Sequence, residues 1–417
     1  MATDSLRLRR CLWMLALAAC VAGPGCRSRP WTNPPDELLG RPWQNVSPPT
    51  PDAYPDPDQT RAAGLDAAFG NNPSPTPPQA QPEARPLNVL ALSAGGKYAV
   101  YAAGLLKGWS ESGTRPQFDV VTGVSAGALL AVYAFLGPQY DARAEEQFVN
   151  VTRRDLFRIR PVRGVLTGGA VASTEPFAEL IERELNDAVV AEIAKAHCAG
   201  RRLFVATGNR TSLRLAIWDL GAVAASGRPD AAQLVRKIIL ASSSHPGFAP
   251  AVEFDVTLNG AHYCELHGDG GNLVQAFVRT ANGLPPGSNV YVVSAGKLYR
   301  DPVAERPRAF STVAAAASNT LYALFRADAA NIYSLCAVTR SRFHLIATPP
   351  DVTVKPGSLS FDRDDQIRLF DSGYRQALAG TDWRSTPPGS QPWETLVPRT
   401  GLDFVTAGPP PAAAPAK

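Results

Sequence analysis

The sequence predicts an α/β domain, a single unit with a mainly parallel central sheet covered by helices on both faces. Three observations carry this expectation. Leu87-Asn88-Val89-Leu90-Ala91-Leu92 is largely apolar on both faces, as a central parallel strand must be. It runs through Ser93-Ala94-Gly95-Gly96 into an alanine- and leucine-rich helical stretch at about 98–110, closed by Ser112-Gly113. A second unit follows at once: the extended run Phe118–Val121, the turn Gly123-Val124-Ser125-Ala126-Gly127, and a helical run of small and apolar residues at 128–133. Two strand–turn–helix units in succession argue for a parallel sheet with covering helices.

The later elements fit the same frame. From 141 to 195 the chain reads as mostly helical. Ser173-Thr174 before Glu175-Pro176 marks a helix start, and Phe177, Leu180, Ile181 and Leu185 share one face. Leu203–Thr207 and Leu213–Trp218 read as strands, 231–241 as a helix ended by Ser243-Ser244-His245-Pro246-Gly247, Asn289–Ser294 as a buried strand, and 367–379 as an amphipathic helix.

The chain has 417 residues, of which 45% are hydrophobic and only 19% charged, with a net charge of +4, and no basic stripe is sustained enough to argue for nucleic acid. Its prolines are unevenly placed. Residues 1–26 read as an export signal: Arg7, Arg9 and Arg10 precede an apolar run from Leu12 to Ala19 that is too short to span a bilayer. Leu17-Ala18-Ala19-Cys20 resembles the lipobox of bacterial lipoproteins, with Cys26 as the alternative acylation site. The expectation is an exported, membrane-anchored lipoprotein on the periplasmic or cell-surface side. Residues 27–85, rich in Pro, Asp, Asn and Gln, read as an extended spacer. The folded domain is expected over 86–383, with a Pro/Ala-rich tail over 384–417. Cys198, Cys264 and Cys336 read as buried thiols or as a set from which one disulfide forms. No metal-ligand spacing and no nucleotide-binding loop is present, so neither metal nor cofactor is expected.

Three pieces carry chemistry. Ser125 stands at the apex of the second strand–turn–helix unit, where a hydroxyl is held exposed; Gly123 and Gly127 let strand and helix approach. Gly95 and Gly96 put unobstructed backbone N–H groups at a helix entrance, a place suited to a negative oxygen. Asp269, in His267-Gly268-Asp269-Gly270-Gly271-Asn272, is either a turn residue or a base. Nucleophile, base and oxyanion site together are what acyl transfer needs.

With these pieces in this order, the chain resembles the patatin-like phospholipases. That family carries a glycine-rich oxyanion motif, then Gly-x-Ser-x-Gly, then Asp-Gly-Gly or Asp-Gly-Ala. The stretch Ala241-Ser242-Ser243-Ser244-His245-Pro246-Gly247-Phe248-Ala249-Pro250 and the pair Gly373-Tyr374 resemble further family segments, so the resemblance covers about 87–380. It implies a Ser125–Asp269 dyad without a catalytic histidine, oxyanion donors at Gly95 and Gly96, the aspartate motif completed by Gly270 and Gly271, and fatty-acyl esters of phospholipids or related lipids as substrates. The oxyanion motif departs from the family pattern. Ala94 stands where the first glycine is usual, Tyr98 at the basic position and Ala99 at the last glycine, so that a basic residue for an anionic head group is either missing or supplied by Lys97, one position early.

Two alternatives stay open at this stage. His344 follows Ser125 and Asp269 in the order of an α/β-hydrolase triad, although Ser125 comes earlier in the chain than that fold places its nucleophile. A non-catalytic lipid-binding lipoprotein is the second. Arg153, Arg154, Arg158, Arg160 and Arg163, interleaved with Leu156, Phe157, Ile159 and Val162, read as a solvated surface segment or as one that meets anionic lipid. Trp31 and Trp43 in the spacer could seat at a membrane surface.

Overall fold

The computed structural model describes residues 85–389, apart from 161–169, 281–282, 301–308 and 356. The export signal with Cys20 and Cys26, the spacer with Trp31 and Trp43, the tail beyond 389, and Val162 and Arg163 lie outside the described residues.

The chain opens as expected. β1 (Asn88–Leu92) leads through a 3-10 turn at Gly96–Tyr98 into α1 (Ala99–Glu111), and β2 (Val120–Val124) leads into α2 (Ala126–Leu136). Then come α3 (Asp141–Val149), the single turn α4 (Arg153–Leu156), a ribbon of β3 (Arg158–Ile159) and β4 (Ala172–Ser173), α5 (Glu175–Glu184) and α6 (Asp187–Cys198). They are followed by β5 (Arg202–Asn209), β6 (Leu215–Asp219), α7 (Leu220–Ala224) and α8 (Ala231–Ser242). The remainder is β7 (Val252–Leu258), β8 (Ala261–Asp269), β9 (Asn289–Ser294), α9 (Ala309–Val338), β10 (Arg342–Ala347) and α10 (Arg363–Leu378).

Among the described residues the main sheet has eight strands in the order β10-β9-β1-β2-β5-β8-β7, with β6 also on β5. Its first five strands are parallel. β8 returns antiparallel beside β5, setting Asp269 opposite Thr207, and β7 and β6 are antiparallel too. Alternation along the strands sorts side chains between two cores. Leu90, Leu92, Val121, Leu203 and Val205 face the layer of α1, α2, α6, α8 and α10. Val89, Ala91, Val120, Val124, Val290 and Val292 face the other side, where Phe325, Ala329, Ile332 and Cys336 of α9 cover them. α2 is apolar all round and is buried from Gly127 to Leu136, which fixes the helix behind Ser125.

The structure departs from the sequence expectation in specific places. β2 begins at Val120 because the Asp119 carboxylate accepts the Asn88 N–H and an Arg85 hydrogen bond, holding Asp119 in the approach to the strand. α5 starts where expected, but it is the Ser173 hydroxyl that accepts the Glu175 N–H. Packing also continues past 383: Arg384 exchanges backbone hydrogen bonds with Leu345, and Trp383 packs edge-on or tilted against Trp109, Tyr291 and His344. Of the three cysteines, Cys198 is exposed, Cys264 and Cys336 are buried, and all three are thiols. The exposure of Cys198 follows from its place in the last turn of α6, away from that helix's buried face at Val189, Val190 and Ile193.

α10 and α1 meet backbone to backbone. A Cβ at Gly373 would overlap the Tyr101 carbonyl oxygen and lie 2.8 Å from Leu105 N, and one at Gly104 would overlap the Phe370 carbonyl. The contact is closed on both sides by backbone, which cannot step aside. Gly373→Ala is therefore expected to destabilise the fold by about 1–3 kcal/mol through overpacking, read as a lower midpoint in urea unfolding; an unchanged midpoint would refute the close approach.

Candidate active site

The site lies where β1 and β2 end and β8 arrives from the opposite direction. Ser125 sits between β2 and α2 with φ 57° and ψ −130°, a left-handed conformation that is costly for a residue with a Cβ. The flanking glycines have a different task from Ser125. A Cβ at Gly127 would lie 2.5 Å from Ser93 O, and one at Gly123 would overlap Gly127 O, so both serve the close approach of α2 to the strand ends. The unusual dihedral falls on the serine itself.

Other serines hold that geometry. The Ser242 hydroxyl accepts the Ser125 N–H at 2.9 Å and donates to Ala206 O at 2.7 Å. Ser243 donates to Ser125 O at 3.2 Å, and Ser244 O accepts the Asp269 N–H at 2.9 Å. The end of α8 thus fixes both candidate groups with backbone and hydroxyl bonds. Sequence reasoning noted this stretch as a helix end and for its likeness to a family segment, not as a support for Ser125; the closely spaced serines before a proline were the available signal.

Ser125 Oγ donates to Asp269 Oδ2 at 2.7 Å. Asp269 Oδ1 accepts the Gly271 N–H at 2.7 Å. Gly270 is pressed on Ala206 and Val124, where a Cβ would lie 2.8 Å from Ala206 O, and Gly271 faces the Ala94 methyl. Burial drives the Asp269 carboxyl above the ordinary range; the Ser125 and Gly271 hydrogen bonds, and then His245 and Arg210, pull it back in part.

Gly95 and Gly96 lie beside this pair. Ala94 N–H donates to Gln275 O and Lys97 N–H to Ser358 O, while the two amides between them take no acceptor within the described residues. Only Gly96, at φ 55°, needs left-handed freedom. Gly95 is extended, with φ 170°, and must be glycine because a Cβ there would overlap Ala295 O. Ala94 therefore occupies its place without strain. Of the two alternatives for the basic residue, the structure speaks against Lys97 meeting an anionic head group. Its side chain is fully buried and its ammonium turns away, to Asp365 Oδ2 at 3.2 Å and to Lys355 O.

The histidines are placed as follows. His344 is on β10, separated from β2 by β9 and β1, and is stacked on Tyr291 at 4.7 Å; burial and Arg342 lower its pKa. The structure does not bring it to Ser125. His267 is buried between Thr207 at 2.8 Å and Glu265 at 2.9 Å. His245 does line the cavity, with Nδ1 3.0 Å from Pro246 O. Arg153, Arg154 and Arg158 are exposed and Arg160 is partly so, while Leu156 and Phe157 turn into the cavity wall. Exposed Glu175, Glu179 and Glu182 on α5 give that side of the molecule both signs of charge.

Ser125, Asp269, Gly95 and Gly96 open into one cavity of about 170 Å³. Its wall is apolar, with Leu129, Phe148, Phe177, Phe248, Leu321 and Phe361 prominent. Among the described residues Asp269 is its only lining carboxylate, and Lys97 and His245 are the basic residues that line it. A loop joins both halves of the site: Gln275 receives Ala94 N–H on its carbonyl and donates its side-chain amide to Gly271 O. Asp328 of α9 anchors that loop, its Oδ2 accepting Gln275 N–H at 2.6 Å and Ala276 N–H at 3.3 Å. Sequence reasoning missed Gln275 and Asp328, because nothing local to α9 marks one aspartate as an anchor.

Residues 90–279 match the family model described as patatin-like phospholipase. No curated protein matches the sequence. Among solved structures, the chain is similar to VipD from Legionella pneumophila at 13% identity and a TM-score of 0.33, over 71% of this chain and 67% of that one. It is similar to the type III effector protein ExoU at 12% identity and a TM-score of 0.33, over 70% of this chain and 52% of that one. The ExoU in a complex with SpcU from Pseudomonas aeruginosa gives 13% identity and a TM-score of 0.29, covering 71% of this chain and 53% of that one. The chain spans about two thirds of the first of these and about half of the other two.

Burial raises the Asp328 carboxyl to about 6, with the two N–H donors opposing the rise. The folded state thus favours protonated Asp328. The penalty is absent below the ordinary carboxylate range, grows as pH climbs from about 4 through about 6, and reaches at most about 3 kcal/mol. Asn in its place keeps an oxygen for both N–H groups and carries no charge. Asp328→Asn is expected to raise the melting temperature above pH 6 and match wild type near pH 4 in thermal scans; a lower melting temperature at pH 7.5 would show that the charge is required.

Proposed function

We propose that this chain, which over residues 90–279 matches the patatin-like phospholipase family, is a lipid acyl hydrolase that works through a Ser125–Asp269 dyad. The observation that carries the proposal is the 2.7 Å hydrogen bond from Ser125 Oγ to Asp269 Oδ2 in an apolar cavity. Asp269 takes the serine proton as Oγ attacks the ester carbonyl carbon. The carbonyl oxygen becomes an oxyanion between the Gly95 and Gly96 amides, where loss of one such donor costs ~10²–10³ in rate. Collapse breaks the ester C–O bond, and the leaving alkoxide takes the proton from Asp269. Water then attacks the acyl-serine, its proton passing through Asp269 to Ser125 Oγ as the fatty acid leaves.

The cavity wall supports an acyl chain as the part of the substrate that is gripped. Apolar surface removed from water stabilises by roughly 25 cal/mol per Å², whereas no free lysine or arginine lines the described wall to hold an anionic head group there. The N-terminus fits the same reading: acylation at Cys20 and a 27–85 spacer would tether the domain at a membrane surface after export. Cys20→Ser should then move the protein from the membrane fraction to the soluble one, and Cys26→Ser should leave it in place; the reverse pattern would assign the anchor to Cys26.

The dyad has a direct test. Wild type and His344→Ala are expected to react with a fluorophosphonate probe and to hydrolyse a fatty-acyl ester. Ser125→Ala should do neither, and Asp269→Asn should lose ~10³ or more in kcat. Because ionised Asp269 is the base and its carboxyl is raised by burial, kcat/KM should fall with decreasing pH at a limb above the ordinary carboxylate range. Loss of labelling in His344→Ala, or full activity in Asp269→Asn, would overturn the dyad.

A further inference from the structure

The region matched to the family ends at residue 279, yet the loop that carries Gly95 and Gly96 is fastened to residues far beyond it. Lys97 follows those glycines directly. Its N–H donates to Ser358 O at 2.8 Å, and a Cβ on Gly96 would overlap the same oxygen. Its ammonium enters the protein interior, where it meets Asp365 Oδ2 at 3.2 Å and Lys355 O. Both side chains of this ion pair are 0% exposed. Asp365 is satisfied elsewhere as well: Oδ2 accepts Lys355 N–H at 2.9 Å and Oδ1 accepts Arg368. The next residue, Gln366, donates to Phe148 O at 2.8 Å and Val151 O at 3.0 Å, and so ties the same turn of α10 to the cavity wall.

A buried ion pair is a poor device for stability, since desolvating both charges offsets most of their attraction. What it does supply is position, because an ammonium that must find one carboxylate fixes the backbone from which it hangs. Here that backbone is the residue after the two free amides. We infer that Lys97 and Asp365 are positioning residues for the oxyanion site, a clamp that sets the Gly95 and Gly96 N–H groups toward the reacting carbonyl oxygen before substrate arrives. The inference rests on the hydrolase reading above. It gives Lys97 a role distinct from binding a head group: the ammonium acts from behind the loop and never touches substrate. It also explains why a basic side chain lies next to the glycines while its charge is hidden from the cavity.

The experiment compares an ester with its thionoester analogue, in which C=S replaces C=O. Amides fixed for an oxyanion fit sulfur poorly, because it is larger and accepts hydrogen bonds weakly. Asp365→Asn keeps the shape of the clamp and removes its charge. The double variant Lys97→Met/Asp365→Leu replaces the pair by apolar side chains, a change that buried pairs often tolerate without loss of stability. In whichever variant retains the wild-type circular dichroism spectrum, kcat for the ester should fall by about 10² with KM within about twofold, as for a displaced catalytic geometry. The ester-to-thionoester rate ratio should fall with it. Wild-type kcat in a folded variant, or a lower kcat with an unchanged ratio, would overturn the clamp and leave the hydrolase standing. A wild-type protein inert to fluorophosphonate and to esters would instead sink the hydrolase reading, and the clamp with it.

Discussion

The conformation of Ser125 is the constraint around which the site is built. A residue with a Cβ held at φ 57° costs of order 1–3 kcal/mol and persists only when its surroundings over-determine it. Here they do so on every side. Behind it, α2 is buried over nearly its whole length, and its approach requires Gly123 and Gly127. Beside it, the hydroxyls of Ser242 and Ser243 take the Ser125 N–H and bind its carbonyl. In front, the side chain ends on Asp269. Each restraint comes from a different part of the chain, so the strained turn depends on the assembled sheet and not on local sequence.

That dependence explains what could be read in advance. The opening units were legible because their signals are local: a strand apolar on both faces, a glycine-rich turn, a helix of small residues. Ser125 and Asp269 were legible because each sits among glycines that only a close approach would require. The hairpin of β7 and β8 was not anticipated, although Val252–Leu258 alternates apolar and polar residues up to Asn259-Gly260, both with positive φ and the strongest short hairpin signal. α9, 30 residues long, was missed for a different reason. Its alanine- and serine-rich first half is weakly patterned, and the helical stripe of Phe325, Ala329, Ile332 and Cys336 begins only in its second half. The burial of Lys97 was not legible at all, because its partner Asp365 lies 268 positions away.

The two parts of the domain therefore divide the work. The region matched to the family supplies the proposed nucleophile, base and oxyanion amides. The region after it supplies their supports. Asp328 on α9 holds the Gln275 loop, which binds both Ala94 and Gly271. Ala295, just after β9, leaves no room for a side chain at Gly95. Asp365 and Ser358 hold Lys97. Placing supports late in the chain means that the oxyanion loop cannot take its final form until β9, the segment before α10 and α10 itself have packed, since its contacts come from all three.

The electrostatics of the cavity follow from the same arrangement. A carboxylate acting alone on a serine must be basic enough to share its proton, and water would defeat that by solvating the charge. Burial supplies the basicity by raising the Asp269 carboxyl, while hydrogen bonds from Ser125 and Gly271 oppose the rise. The apolar wall serves this balance as well as the proposed binding of an acyl chain, since a wall that excludes water keeps the surroundings of the carboxylate apolar. The hidden ammonium of Lys97 belongs to the same logic. A cation exposed in this cavity would pull the Asp269 carboxyl down and weaken it as a base; sequestered against Asp365, it can order the neighbouring amides without disturbing the acid–base pair they serve.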